Sequence, residues 1–312
     1  MKQNFKTIFI KILQMTLITL VTFLLIAAVV WAEEHGGGRR PPTFLGILLL
    51  PRVWVSAILG IIGLLLLMKA KLNRSIRLVF LALIFFAFTI IPVLPLGKFS
   101  QGMGLHPSPM CTISKPLLFM TAGYGFPIVF LAILTSIGIL TLIGNKLFCG
   151  WACPVGALQE LFYNIPLSKK LKIKVPFIIT NLVRIIIFIA YLVVVFAIGM
   201  NIYDFFNPFE SLHWGFDFGT YILVVTIIVS LFIFRPFCYF MCPIGLFTWL
   251  LEHLSLTRVK VNKEKCTNCK TCVNLSPCSA VPAILDGKKS RPDCHACGKC
   301  LEVCPEKALN WH

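Results

Sequence analysis

The chain has 312 residues, of which 58% are hydrophobic and 13% charged, with a formal net charge of +17. That balance excludes an ordinary soluble domain. The apolar residues fall in blocks of membrane-spanning length, so the positive charge reads as the cytoplasmic loops of a membrane protein and not as a nucleic-acid surface.

In chain order the hydrophobic blocks are 8–31, 53–68, 78–96, 126–147, 176–200 and 219–234. A hydrocarbon core of ~30 Å needs about 20 helical residues, so six spans are expected, the second and sixth of them short. Lys2, Lys6 and Lys11 precede the first block. Lys69, Lys71, Arg74 and Arg77 separate the second from the third, and Lys146, Lys169, Lys170, Lys172 and Lys174 the fourth from the fifth. The intervening loops are poorer in Lys and Arg, which puts both termini in the cytoplasm and the chain in the inner (cytoplasmic) membrane. The stretch "AVVWAEE" also fits a signal peptide cut after Ala32; the length of the apolar run favours a retained helix. Residues 33–42 read as an external linker.

From about Thr257 the sequence turns polar and cysteine-rich. Eight of the thirteen cysteines lie between Cys266 and Cys304. Cys294, Cys297, Cys300 and Cys304, followed by Pro305, match C-x2-C-x2-C-x3-C-P, the bacterial ferredoxin pattern for a [4Fe–4S] cluster. Three thiolates on one tight loop meet three irons of the cube, and the fourth comes from elsewhere. In two-cluster ferredoxins the fourth cysteine of each run serves the other cluster. One cluster is therefore expected on Cys266, Cys269, Cys272 and Cys304, and a second on Cys294, Cys297, Cys300 and Cys278. The first run departs from the pattern, with five residues between Cys272 and Cys278 and a proline before the last cysteine. Zinc knuckles also use C-x2-C pairs, but do not require three cysteines at this spacing twice over. A reducing cytoplasm disfavours disulfides.

Two further pairs follow apolar blocks. "FCGWACPVG" from Phe148 and "FCYFMCPIG" from Phe237 align without gaps: Cys149 with Cys238, Cys153 with Cys242, Pro154 with Pro243, Gly156 with Gly245. This is an internal repeat of the parallel type, 148–162 and 237–251. Proline suits the first turn of a helix, so each pair is expected where a membrane helix ends and an amphipathic interfacial helix begins. Three readings of Cys149, Cys153, Cys238 and Cys242 stay open: a shared metal or third iron–sulfur cluster, thiol–disulfide exchange, or plain packing.

C-x3-C-P placed twice after membrane helices and followed by a two-cluster tail resembles the membrane polyferredoxins of the NapH, NosR and CcoG types, over roughly residues 75–312. The NapH type is most similar. Loop 33–52 has no room for the flavin domain of NosR-type proteins, and the extra domain of CcoG-type proteins has no counterpart here. The resemblance implies an all-α polytopic membrane domain of about six transmembrane helices (1–256) and a small α+β two-cluster ferredoxin-like domain (257–312). It implies electron transfer between the quinone pool and a partner subunit, with the chain as the membrane component of a quinol dehydrogenase. The CcoG type implies the alternative, a metal- or thiol-reducing maturation factor.

Weaker signals remain. Arg184 lies inside the fifth block, either as a functional charge or snorkelling to the interface. Met103, His106, Met110 and Cys111 on the outer side read either as soft, copper-type ligands or, more simply, as a turn fixed by Pro107 and Pro109. Asp204, Glu210, His213 and Asp217 on another outer loop read either as a solvated loop or as groups that take protons from a quinol. No pair of histidines lies within the blocks, so an intramembrane b-type haem is not expected.

Overall fold

The computed structural model describes residues 43–312 except 71, 105–106, 213–217, 290 and 292. The first expected span, the cleavage alternative after Ala32, the linker 33–42, and His106, His213 and Asp217 lie outside the described residues.

The fold is mostly helical. Helix α1 (Pro51–Met68) opens with proline at its first position, where a missing N–H costs nothing. Helix α2 (Arg74–Thr89) is capped by Asn73, whose side chain accepts from the Ile76 amide at 2.8 Å. Then follow α3 (Cys111–Thr121), α4 (Ile128–Gly144), α5 (Leu147–Trp151) and α6 (Pro154–Tyr163). The second half contains α7 (Phe177–Ile198), α8 (Phe218–Ser230), α9 (Pro236–Phe240) and α10 (Pro243–Leu251). Among the described residues, three segments are long and apolar enough to cross a membrane: Pro51–Met68, Arg74–Val93 and Phe177–Ile198. Their outer faces carry exposed Val79, Phe86, Ile178, Ile186 and Phe196, apolar surface that a soluble protein would not leave bare.

Helices α4 and α8 are shorter, at 17 and 13 residues. At 1.5 Å per residue they reach about 25 and 20 Å, less than the ~30 Å hydrocarbon core. The chain therefore turns back before it clears the ends of the long helices. A Cβ on Gly60 would touch Leu140 and Leu147, and one on Gly63 would fall 2.2 Å from the Trp151 ring. These glycines lie eight and five residues before Met68, which places the turn after α4 about 8–12 Å inside the end of α1.

The expectation of amphipathic interfacial helices after the cysteine pairs is corrected for the first of them. Helix α6 is buried from Pro154 through Glu160 and packs against α2 and α8. Its polar Gln159 and Glu160 face distant polar partners inside the protein and not water. Helix α10 is the half-buried counterpart.

After α10 a two-stranded antiparallel sheet joins β1 (Val259–Val261) to β2 (Leu309–Trp311), with Val259 opposite Trp311 and Val261 opposite Leu309. Between the strands lie α11 (Thr271–Leu275), α12 (Val281–Leu285) and α13 (Lys299–Glu302). The Trp311 indole N–H donates to the Thr257 hydroxyl at 3.1 Å, closing this tail on itself.

Candidate functional site

The two C-x3-C-P stretches fold alike. Each begins with a residue in the left-handed region, Lys146 at φ 64° and Arg235 at φ 49°. Each continues as a five-residue helix that carries the first cysteine, α5 with Cys149 and α9 with Cys238. The second cysteine, Cys153 or Cys242, is the N-cap of the next helix, with proline at the first helical position. The members of a pair are thus not on one helix face, as an i,i+4 reading suggests. The chain breaks between them at Ala152 and at Met241.

The halves are tied to each other through this turn. Gln159 of the first half donates to Cys238 Sγ at 3.5 Å and accepts the Phe237 amide at 2.9 Å. Arg235 of the second half donates to the Cys149 carbonyl. Glu160 receives Arg77 at 2.7 Å and Arg235 at 2.6 Å, all three buried. Burial alone would raise the Glu160 carboxyl, but the two guanidiniums outweigh it and hold it down to about 2. Arg77 also lies 4.3 Å over the Trp151 ring.

The four thiols are buried or nearly so and feel one another's charge. Cys149 is pushed up to about 11, first by burial and next by Cys238. Burial and then Cys238 raise Cys153 and Cys242 as well.

In the tail, the loops Cys266–Cys272 and Cys294–Cys300 share one backbone pattern. Asn268 and Lys270 in the first, and Ala296 and Gly298 in the second, have positive φ. Alternation of this kind turns successive amides inward and makes an anion-binding nest. Non-glycine residues in this conformation are costly and cluster at functional sites. Cys266, Cys269, Cys272 and Cys304 line one hollow. Cys278 stands apart in sequence, yet after burial its thiol is raised most by Cys297 and Cys294, which places it beside the second loop. The Ala308 amide donates to Cys304 Sγ at 3.3 Å.

The second loop is seated on the C-x3-C-P turns. The Trp151 indole donates to the Ala296 carbonyl at 2.8 Å. A Cβ on Gly150 would lie 2.1 Å from the His295 carbonyl oxygen, so backbone meets backbone there. His295 packs on Tyr239 at 5.4 Å. Asp293 takes Arg184 and Thr180, each at 2.7 Å. Arg184 therefore does not snorkel; it is buried within α7 and clamps the tail. Sequence reasoning missed Trp151, Gln159, Glu160, Arg235 and Asp293, whose partners lie 75 or more residues away.

The outer-side signals rearrange. Met103 and Met110 are packed in the apolar core. Cys111 instead meets Asp204 and Glu210, with their donor atoms all within 4.8 Å of one another. Lys115 already stands 3.9 Å from both carboxylates. Among the described residues no other three potential ligands come so close.

The family described as "4Fe-4S binding domain" matches residues 125–174 and 218–263. Those segments contain the C-x3-C-P cysteines and stop short of Cys266. "Ferredoxin-type protein NapH" of Haemophilus influenzae is 32% identical over 54% of this chain and 63% of that protein. "Putative electron transport protein YccM" of Escherichia coli K12 is 29% identical over 55% of the chain and 52% of that protein. "Regulatory protein NosR" of Pseudomonas aeruginosa is 29% identical over 56% of the chain and 26% of that protein. The match thus spans less than two thirds of each of these three relatives. No solved structure matches.

Proposed function

We propose that this chain, which resembles the membrane polyferredoxins and is close to the NapH type, is an iron–sulfur electron-transfer protein that carries electrons from quinol in the membrane to a redox partner through three [4Fe–4S] clusters. Two are held by the tail, on Cys266, Cys269, Cys272 and Cys304 and on Cys294, Cys297, Cys300 and Cys278. The third is held by Cys149, Cys153, Cys238 and Cys242. The observation that carries the third is the family match, which falls on both C-x3-C-P segments and on none of the eight tail cysteines.

The residues present suit such groups. The hollow faced by four tail cysteines, the inward amides of the two loops and the amide donated to Cys304 Sγ all stabilise anionic sulfur. The clusters supply one-electron chemistry, so a quinol's two electrons leave singly and its two protons go to water. The protein's part is to hold the relay close. Gly150 and Trp151 press the turn against the 294–300 loop, and Arg184 with Asp293 fixes that loop in place. The loop with Cys269, the exposed thiol, faces the partner. On this reading the part of the chain up to residue 256 is the membrane domain in contact with lipid, 257–312 is the two-cluster domain, and the C-terminus faces the cytoplasm across the inner membrane.

Anaerobically purified protein is expected to absorb broadly near ~400 nm and to bleach on reduction, as [4Fe–4S] proteins do. The Cys149→Ala, Cys238→Ala double variant is expected to lose about a third of its iron, one four-iron cluster in three. Iron per polypeptide unchanged in that variant removes the third cluster; zinc in place of iron removes all three.

A further inference from the structure

The two C-x3-C-P turns differ where each meets the 294–300 loop. The first has Gly150, and the aligned position of the second has Tyr239. Gly150 lets backbone meet backbone at His295. Tyr239 instead sets its ring against the His295 imidazole, with centroids 5.4 Å apart. It is 2% exposed and forms a small apolar group with Tyr163 and Phe234, against which Cys297 packs. Its hydroxyl has no hydrogen-bond partner among the described residues. We propose that this hydroxyl donates a hydrogen bond to sulfur of the cluster assigned to Cys294, Cys297, Cys300 and Cys278, and so raises that cluster's reduction potential. The inference rests on that assignment, made above.

A buried tyrosine O–H without an acceptor is costly, and buried tyrosines usually find one. The groups that the Tyr239 hydroxyl faces are sulfur and one carboxylate. After burial, Cys278 raises it most, ahead of Asp293 and Cys297. Asp293 is already taken by Arg184 and Thr180. Cys278 and Cys297 are two of the ligands assigned to the cluster. Two more buried hydroxyls without partners among the described residues, Ser276 and Ser279, flank Cys278 in the chain. Donors left over around one thiol suit a group that brings acceptors with it, as the sulfurs of a cluster do. Hydrogen bonds to those sulfurs are among the features that set a cluster's potential. Reduction adds negative charge, so a donor favours the reduced form. Tyr239 also follows Cys238, a ligand of the proposed third cluster. One residue thus joins the turn to the next cluster in line and makes that cluster the better acceptor.

Full-length protein in detergent, reduced stepwise and followed by electron paramagnetic resonance, tests this. Tyr239→Phe is expected to move one cluster to lower potential and to leave the other two in place. At a fixed potential the reduced-to-oxidised ratio of that cluster should fall about five-fold, ~40 mV for one electron. Iron content should match wild type, because the ring keeps its place on His295. Three unchanged potentials overturn the hydrogen bond; removal of an unpartnered hydroxyl would instead raise the thermal midpoint. If Tyr239→Phe loses iron, wild-type sequence carrying 3-fluorotyrosine, a stronger donor, is read in its place. One cluster should then move to higher potential, and no movement overturns the proposal. Cys278→Ala tests the premise separately. A cluster lost or altered in Cys278→Ala, with all potentials unmoved in Tyr239→Phe, overturns the hydrogen bond alone. Iron and resonance spectrum unchanged in Cys278→Ala overturn the cluster assignment and the hydrogen bond with it.

Discussion

Glu160→Ala is expected to be the most damaging single substitution outside the cysteines, at a cost of about 3–5 kcal/mol. The carboxylate is the shared counter-charge of Arg77 and Arg235, and all three are buried. Removing it leaves two cations in a dry interior with neutral partners, the Gly150 carbonyl and Trp151 ring for Arg77, and the Cys149 and Gly150 carbonyls and Phe234 ring for Arg235. Those carbonyls belong to the first C-x3-C-P turn, so the turn should move and iron should fall along with the thermal midpoint. Circular dichroism melting in detergent, with iron analysis on the same sample, checks both. A midpoint within 1 °C of wild type would show that the cations find other partners. The same group sets an acid limit. Its carboxyl is held down to about 2 in the folded protein, against an ordinary value of 4.5. The stability it contributes is therefore complete above about pH 4.5 and is lost as pH falls towards 2. Between those limits wild type should lose stability more steeply than Glu160→Gln, as read by acid titration of the circular dichroism signal.

Gly150→Ala is expected to separate the C-x3-C-P turn from the 294–300 loop. The new methyl would stand 2.1 Å from the His295 carbonyl oxygen, and neither backbone can yield as a flexible side chain can. Overpacking of this kind costs about 1–3 kcal/mol. The contact also joins the proposed third cluster to the tail, so bleaching of the tail clusters by quinol should slow while bleaching by dithionite does not. Gly125→Ala is the control, because a Cβ there meets nothing within 4 Å. Equal behaviour of the two variants would mean that electrons do not cross at Gly150.

Much of this site is written locally in the sequence. The spacing of Cys294, Cys297, Cys300 and Cys304 is the footprint of one tight loop, and proline after Cys153 and Cys242 correctly marks the start of a helix. What was not legible depends on long-range pairing. "VGALQELFY" has the composition of an interfacial helix, with Gln159 and Glu160 suited to water. It is buried because Phe237, Arg77 and Arg235, all 75 or more residues away, satisfy those two side chains. Arg184 in an apolar run gives no hint of Asp293, which lies 109 residues on. The sixth block was expected to be short and is, whereas the short helix before α5 was hidden in a hydrophobic block whose ends hydropathy cannot fix to a residue.

The depth of the first cysteine turn, about 8–12 Å inside the end of α1, has an electrical consequence. On the proposed orientation, an electron passing from that turn to the tail loop moves along the membrane normal through part of the transmembrane field. A full crossing is worth about 2.3 kcal/mol per elementary charge per 100 mV, and this step takes a fraction of it. Reduction of the tail in energised vesicles should therefore respond to voltage, and collapsing the potential with an ionophore should change its rate even when the quinol pool stays fully reduced.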